Sequence, residues 1–126
     1  MIGMENAELL SPSVLAFVGD AVYGLLVREH LAEVNRSSKD LHSLSVGFVS
    51  APNQAKAFES IEPLLNSKEI EIFKRGRNFH TGNVPKNATG KQYHTATGLE
   101  CLFGYLYLSK NTERIRELFN IIINSD

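Results

Sequence analysis

Two acidic side chains stand in otherwise apolar helical stretches, Asp20 in VLAFVGDAVYGLLV and Glu100 in ATGLECLFGYLYL. An ionised carboxylate is costly to bury without compensation, so each asks for a partner. Their surroundings match. A small residue precedes each acid by four positions and a glycine follows by four: Ala16, Asp20, Gly24 and Ala96, Glu100, Gly104. Residues four apart share a helical face, so each acid has little side chain one turn above and below. Glycine within a helix costs about 1 kcal/mol relative to alanine, and Gly19, Gly24, Gly98 and Gly104 together forgo roughly 4 kcal/mol of propensity, which implies a steric requirement. If the two faces meet, the carboxylates repel unless a proton or a divalent cation lies between them. Magnesium suits such a pair, being a hard ion that binds through one or two carboxylates and keeps waters that phosphate oxygens can replace. It would polarise a phosphodiester and lower the pKa of water for in-line attack. The competing reading is structural: alanine and glycine mark close helix crossings, and Arg28, His94 or backbone donors satisfy the acids.

Other catalytic chemistry has less support. His30, His42, His80 and His94 have neither zinc-ligand spacing nor cysteine partners. No serine lies in a G-x-S-x-G context, and the glycines around Thr81–Lys91 lack the strand-turn-helix setting of a phosphate-binding loop. The tyrosines read mainly as core, with Tyr93 placed to contact a ligand at the basic segment.

The net charge of −1 argues against a nucleic-acid partner, but the distribution reverses that argument. Between Glu71 and Glu100 no acidic residue intervenes, while Lys74, Arg75, Arg77, Lys86 and Lys91 lie there with His80 and His94. Such segregation marks one face for an anionic ligand, or else a solvated basic loop.

These residues need a scaffold, and the pattern specifies helices. Ser11-Pro12 predicts an N-cap with proline at the first helical position, opening a helix to about Leu31. Ser37 or Ser38 caps a second, Lys39 to Val49, and Ser50 with Pro52 starts a third that ends near Pro63. Ser67 caps a fourth from Lys68 to Arg77. Asn78 to Lys91 has loop composition. A fifth helix runs from about Gln92 to Ser109, and Thr112 caps a sixth, Glu113 to Ile123. No alternating strand and no repeat is present, so the expectation is an all-α, single compact helical domain over 1–126. The 126 residues, 43% hydrophobic, suffice for one core. The lone Cys101 lies in an apolar run and implies a reducing, cytoplasmic setting. No signal segment is evident, and the apolar run Val14 to Val27 falls short of the roughly 20 residues that span a bilayer, so no membrane is expected.

Phe17-Val18-Gly19-Asp20-Ala21-Val22 resembles the signature helix of ribonuclease III domains, and Leu99-Glu100-Cys101-Leu102-Phe103-Gly104-Tyr105-Leu106-Tyr107-Leu108 resembles their second catalytic helix. Phe48-Val49-Ser50-Ala51, Gln54-Ala55, Lys74-Arg75-Gly76-Arg77-Asn78 and Pro85-Lys86-Asn87 are similar to segments of Mini-ribonuclease III, the bacterial subgroup consisting of the catalytic domain alone. The resemblance implies a ribonuclease III-type endonuclease domain with no double-stranded-RNA-binding domain. It implies a homodimer in which each site cuts one strand of a duplex, leaving 5'-phosphate and 3'-hydroxyl ends, with Mg2+ held by Asp20 and Glu100. It further implies a role in maturing the precursor of large-subunit (23S) ribosomal RNA. Two of the four family acids are missing, since Ala16 and Thr97 stand at their positions. That departure keeps open a catalytically silent RNA-binding or ribosome-associated module, and a helical domain binding acidic proteins is a third reading. For RNA contact the expected residues are Lys74, Arg75, Arg77, Asn78, Lys86, Asn87, Lys91, Tyr93 and His94, reading A-form RNA by shape and phosphate.

Overall fold

Capping chemistry sets where each helix starts. The Ser11 hydroxyl accepts from the Val14 N–H at 3.3 Å, and Pro12 occupies the first position of α1, Pro12–Ala32. The Ser37 hydroxyl accepts from Asp40 N–H at 3.2 Å to open α2, Ser38–Val49. The Ser50 hydroxyl instead turns back to donate to the Gly47 carbonyl, and α3 follows as Ala51–Ile61, with a 3-10 turn at Glu62–Leu64. α4, Ser67–Arg77, begins one residue earlier than expected because Asn66, not Ser67, is its cap. Asn66 and Glu69 exchange hydrogen bonds reciprocally, both at 2.9 Å. A second reciprocal box, Thr89 with Gln92, starts α5 at Gly90 and carries it to Leu108. α6 spans Thr112–Asn124, with Thr112 inside the helix and Asn111 before it. The structure, a computed structural model, describes residues 4–79 and 84–125. Among them there is no strand, so the all-α class holds, and a 3-10 turn at Met4–Leu9 precedes α1. No described helix is long and apolar enough to cross a membrane.

α5 is the axis of the domain, packed by α1, α3, α4 and α6. That explains why it is apolar on every side rather than on one stripe: Leu99, Cys101, Leu102 and Phe103 are all fully buried. The main core joins Tyr23 and Val27 of α1, Phe58 and Ile61 of α3, Phe73 of α4, and Leu118 and Phe119 of α6 to α5. Tyr23 meets Phe103 and Phe119 edge to face at 5.4 and 5.8 Å, and Phe58 stacks on Phe73 at 3.8 Å. A smaller cluster of Leu15, Ile72 and Cys101 lies between α1, α4 and α5. There the Cys101 thiol donates to the Pro12 carbonyl at 3.1 Å, and burial pushes its pKa up to about 12, so it is an inert packing group.

The helix glycines are explained by two backbone crossings. A Cβ on Gly19 would lie 1.6 Å from the carbonyl oxygen of Glu100, and one on Gly104 would lie 2.0 Å from that of Leu15. α1 and α5 thus touch main chain to main chain, which only glycine permits. Gly98 admits α4 as closely, since a Cβ there would lie 2.5 Å from the Phe73 ring and 2.8 Å from the Phe73 carbonyl oxygen. Gly24 differs, since a Cβ there would meet only the end of the Arg28 side chain at 3.0 Å.

Candidate active site

The α1–α5 crossing brings Asp20 and Glu100 together, within hydrogen-bonding reach of each other. Burial, and then the adjacent Asp20 charge, push the Glu100 carboxyl up to about 7, against a downward pull from the Gln54 amide. The two acids are not equivalent. Glu100 is half-buried, whereas Asp20 is exposed, so the sequence expectation of two costly burials holds for one acid only. Asp20 lies at the outer face of α1, and no desolvation has to be offset there.

Among the described residues, neither acid has a basic partner. The ion pairs of the described residues join Lys68 to Glu8 and Glu71, Arg114 to Glu69 and Glu117, and Arg116 to Glu29. Arg28, a candidate counter-charge, donates to the Gly24 carbonyl at 3.3 Å instead. Glu69 shows what a structural carboxylate looks like here: it is 2% exposed, closes a capping box and takes the Arg114 guanidinium at 2.8 Å. Asp20 and Glu100 have none of that.

Of the two positions where the family resemblance calls for further acids, Ala16 has no polar side chain and Thr97 donates its hydroxyl to the Tyr93 carbonyl at 3.1 Å. Among the described residues no cluster of three or more His, Cys, Asp or Glu side chains could hold a metal. What the site has instead is Gln54, which sequence reasoning missed as a site residue. It is buried, and its amide nitrogen donates to the Val49 carbonyl at 3.0 Å and to Glu100 Oε2 at 3.4 Å, leaving Oε1 without a donor. Its sequence traces are the Gln54-Ala55 pair of the family resemblance and its place on the helix face that carries Ala57, Phe58 and Ile61.

A divalent cation fits this arrangement on structural grounds. Two carboxyls come together with no cationic side chain of the described residues paired to them, and a buried amide oxygen beside them lacks a donor. Asp20 is exposed, so the pair can be reached from solvent on that side. A cavity of about 500 Å3, lined by Tyr23, Leu44, Phe48, Asn53, Lys56 and Ile122 among others, includes neither acid.

The basic segment divides into separate roles. Lys74, Arg77 and Asn78 are exposed at the C-terminal end of α4, with Arg77 Nε donating to Asn78 Oδ1 at 3.2 Å and its guanidinium 5.8 Å from the Phe73 ring centre. Lys86, Asn87 and Lys91 are exposed before and at the start of α5. Tyr93 and His94 are half-buried on its first turns, ring centres 5.5 Å apart. Arg75 is turned inward: its guanidinium donates to the carbonyls of Glu8 and Leu10, both at 2.6 Å, and pins the N-terminal turn to α4. His80 lies outside the described residues.

Beside Asp20, the outer face of α1 is apolar. Phe17 is 80% exposed and Leu25 65%, in one helical row with Ala21, and Val14 extends it.

The Ribonuclease III domain family matches residues 13–111 of the chain. The chain is 38% identical over 122 residues to the Mini-ribonuclease 3 of Clostridium tetani, a match covering 95% of this chain and 81% of that protein. It is 47% identical over 102 residues to the Mini-ribonuclease 3 of a Synechococcus strain, covering 81% and 73% respectively. A crystal structure of a protein from Fusobacterium nucleatum, 32% identical, superposes with a TM-score of 0.82 over 90% of this chain and 91% of that one.

Proposed function

The chain belongs to the ribonuclease III family, and on that footing we propose that it is a magnesium-dependent endoribonuclease that cuts double-stranded RNA. The observation that carries the reading is the pair Asp20 and Glu100, without a basic partner among the described residues, brought together at a backbone crossing with Asp20 exposed. When bound, magnesium supplies Lewis acidity, polarising the scissile phosphodiester and lowering the pKa of water.

The chain's own residues do the rest. Asp20 and Glu100 would hold the cation, and with it orient the scissile phosphate. Exposed Lys74, Arg77, Lys86 and Lys91, with Asn78 and Asn87, neutralise and grip backbone phosphates of an A-form duplex, which is read by shape rather than by base. Tyr93 and His94, at the start of the helix that carries Glu100, join that contact surface. Arg75 adds charge to the face while its donors hold the fold. The helical domain makes this RNA contact through that basic face.

A homodimer is part of the proposal, because Phe17 and Leu25 present an apolar row next to Asp20 that a second copy would cover. Two sites on one duplex then cut one strand each, leaving 5'-phosphate and 3'-hydroxyl ends. The substrate proposed is the 23S ribosomal RNA precursor in the cytoplasm. A catalytically silent RNA-binding module on the same fold is the alternative, favoured only by Ala16 and Thr97. Incubating the protein with a structured ribosomal precursor, with and without magnesium, and mapping the ends separates the two. Magnesium-dependent ends with 5'-phosphate are expected; binding without product would establish the silent module.

A further inference from the structure

Gln54 sits just past the break between α2 and α3. A helix end leaves its last carbonyls without intrahelical donors, and the Gln54 amide supplies one, to Val49 at 3.0 Å. The same nitrogen reaches Glu100 Oε2 at 3.4 Å. A backbone carbonyl can only accept, as can a carboxylate, so reversing the amide would set its oxygen against two others. The orientation is fixed, and Oε1 is the atom left over, buried and without a donor. Gln54 is 2% exposed, and side-chain oxygens buried to that degree are nearly always paired. No described protein group supplies that donor, which leaves the place to a water or to a bound group.

Resting on the nuclease reading above, we propose that Gln54 is a positioning residue for the carboxylate pair, its amide holding Glu100 toward Asp20 and its Oε1 accepting from a water that accompanies the cation. Magnesium keeps several waters, and each needs acceptors for its protons. A neutral oxygen is well suited, because a third carboxylate would add to the repulsion already present between Asp20 and Glu100. Ala16 cannot take the part, having no polar side chain, and Thr97 offers only the lone pairs of a hydroxyl whose proton goes to the Tyr93 carbonyl.

The test uses the intact chain, with manganese as the probe cation. Gln54→Met keeps the side chain's length and removes both amide atoms. Manganese affinity, measured by titration calorimetry without RNA, is expected to fall about 10-fold or more, as for other groups that orient metal ligands. With duplex RNA, kcat should fall at limiting cation and recover partly as cation is raised, with KM unchanged; a merely structural defect would not be rescued in this way. Gln54→Glu places a third carboxylate at the same point, and adding manganese should raise its melting temperature by more than it raises the parent's. Either variant that folds decides the matter. Parental manganese affinity and a parental melting shift in the variants would overturn the inference while leaving a cleaving parent as a nuclease. A parent that neither binds manganese nor cuts duplex RNA overturns the nuclease reading, and this inference with it.

Discussion

Gly19 and Glu100 meet through their backbones: where Gly19 lacks a Cβ, the Glu100 carbonyl oxygen stands 1.6 Å from the position that atom would take. The residue next to Asp20 therefore abuts the residue that bears the other acid. Main-chain contact between α1 and α5 fixes the spacing of the backbones that bear the two acids, and on that base a side-chain contact such as that of Gln54 with Glu100 can preorganise a cation site.

Gly19→Ala should accordingly be severe. The obstruction is backbone that cannot rotate away, so the helices must part and the carboxyl pair with them. A loss of at least roughly 3 kcal/mol of stability and loss of cleavage are expected. Gly24→Ala meets only the Arg28 guanidinium and gains up to about 1 kcal/mol of helix propensity, leaving stability within about 1 kcal/mol of the parent. Urea denaturation of both variants checks this, and equal sensitivity of the two would contradict the crossing.

Much of this was legible in the sequence, for reasons that can be located. Helix positions followed from serines and prolines with strong capping roles, and Asp20 and Glu100 stood out because charge in an apolar helix has few explanations. The shift of the α4 start to Asn66 was harder to see, since Ser67 and Asn66 are both good caps and only the reciprocal bond with Glu69 decides. Exposure of Asp20 was hidden as well, because an apolar neighbourhood reads as burial even when its outer row, Phe17 and Leu25, faces outward. Gln54 and the inward turn of Arg75 depend on contacts between distant segments, which no local pattern encodes.

Asp20→Asn and Glu100→Gln keep size and remove charge. Each should abolish magnesium-dependent cleavage of a duplex while leaving RNA affinity within a few-fold, because phosphate contacts come from the basic face. Gel-shift binding in EDTA alongside a cleavage assay in magnesium reads both properties. Substantial residual cleavage by Asp20→Asn would remove the carboxyl pair from the mechanism.

The raised Glu100 pKa carries a pH signature. Between about 4.5 and 7 the group is protonated when folded and ionised when unfolded. The unfolded state then binds fewer protons, so this group's contribution to stability is full below about 4.5 and is lost as pH rises through 7. The loss amounts to roughly 3 kcal/mol in the absence of cation. Glu100→Gln has no such group and should match the parent at low pH but exceed it in stability at pH 8. Magnesium, binding the ionised pair, should narrow that gap. Denaturation at both pH values in EDTA and in magnesium measures it, and a gap independent of pH would refute the assignment.

Charge removal on the basic segment should split by location. Lys86→Ala and Lys91→Ala each leave the fold intact and lower the slope of log affinity against log salt by about 1, as expected for one phosphate contact apiece. Arg75→Ala releases the Glu8 and Leu10 carbonyls, and should cost roughly 1–3 kcal/mol of stability. Melting curves and salt-dependent binding would show the two classes, and an unaltered melting point for Arg75→Ala would count against its structural role.

Phe17 tests the assembly. A side chain 80% exposed in a row with Leu25 is expected to lie at the centre of the interface between copies, where a buried aromatic carries much of the binding energy. Phe17→Glu puts a charge into that row without touching the core, so the monomer should stay folded while the dimer dissociates. Like-charge repulsion between the two copies, added to the lost apolar contact, makes a shift of at least 100-fold in the dimer dissociation constant a reasonable expectation, about 3 kcal/mol. Sedimentation velocity reads the change directly. Because Asp20 lies three residues along the same helix, cutting of both strands should fail with the dimer, leaving at most slow nicking of one. A parent chain that sediments as a monomer at micromolar concentration, or a Phe17→Glu variant that remains dimeric, would detach this apolar row from self-association.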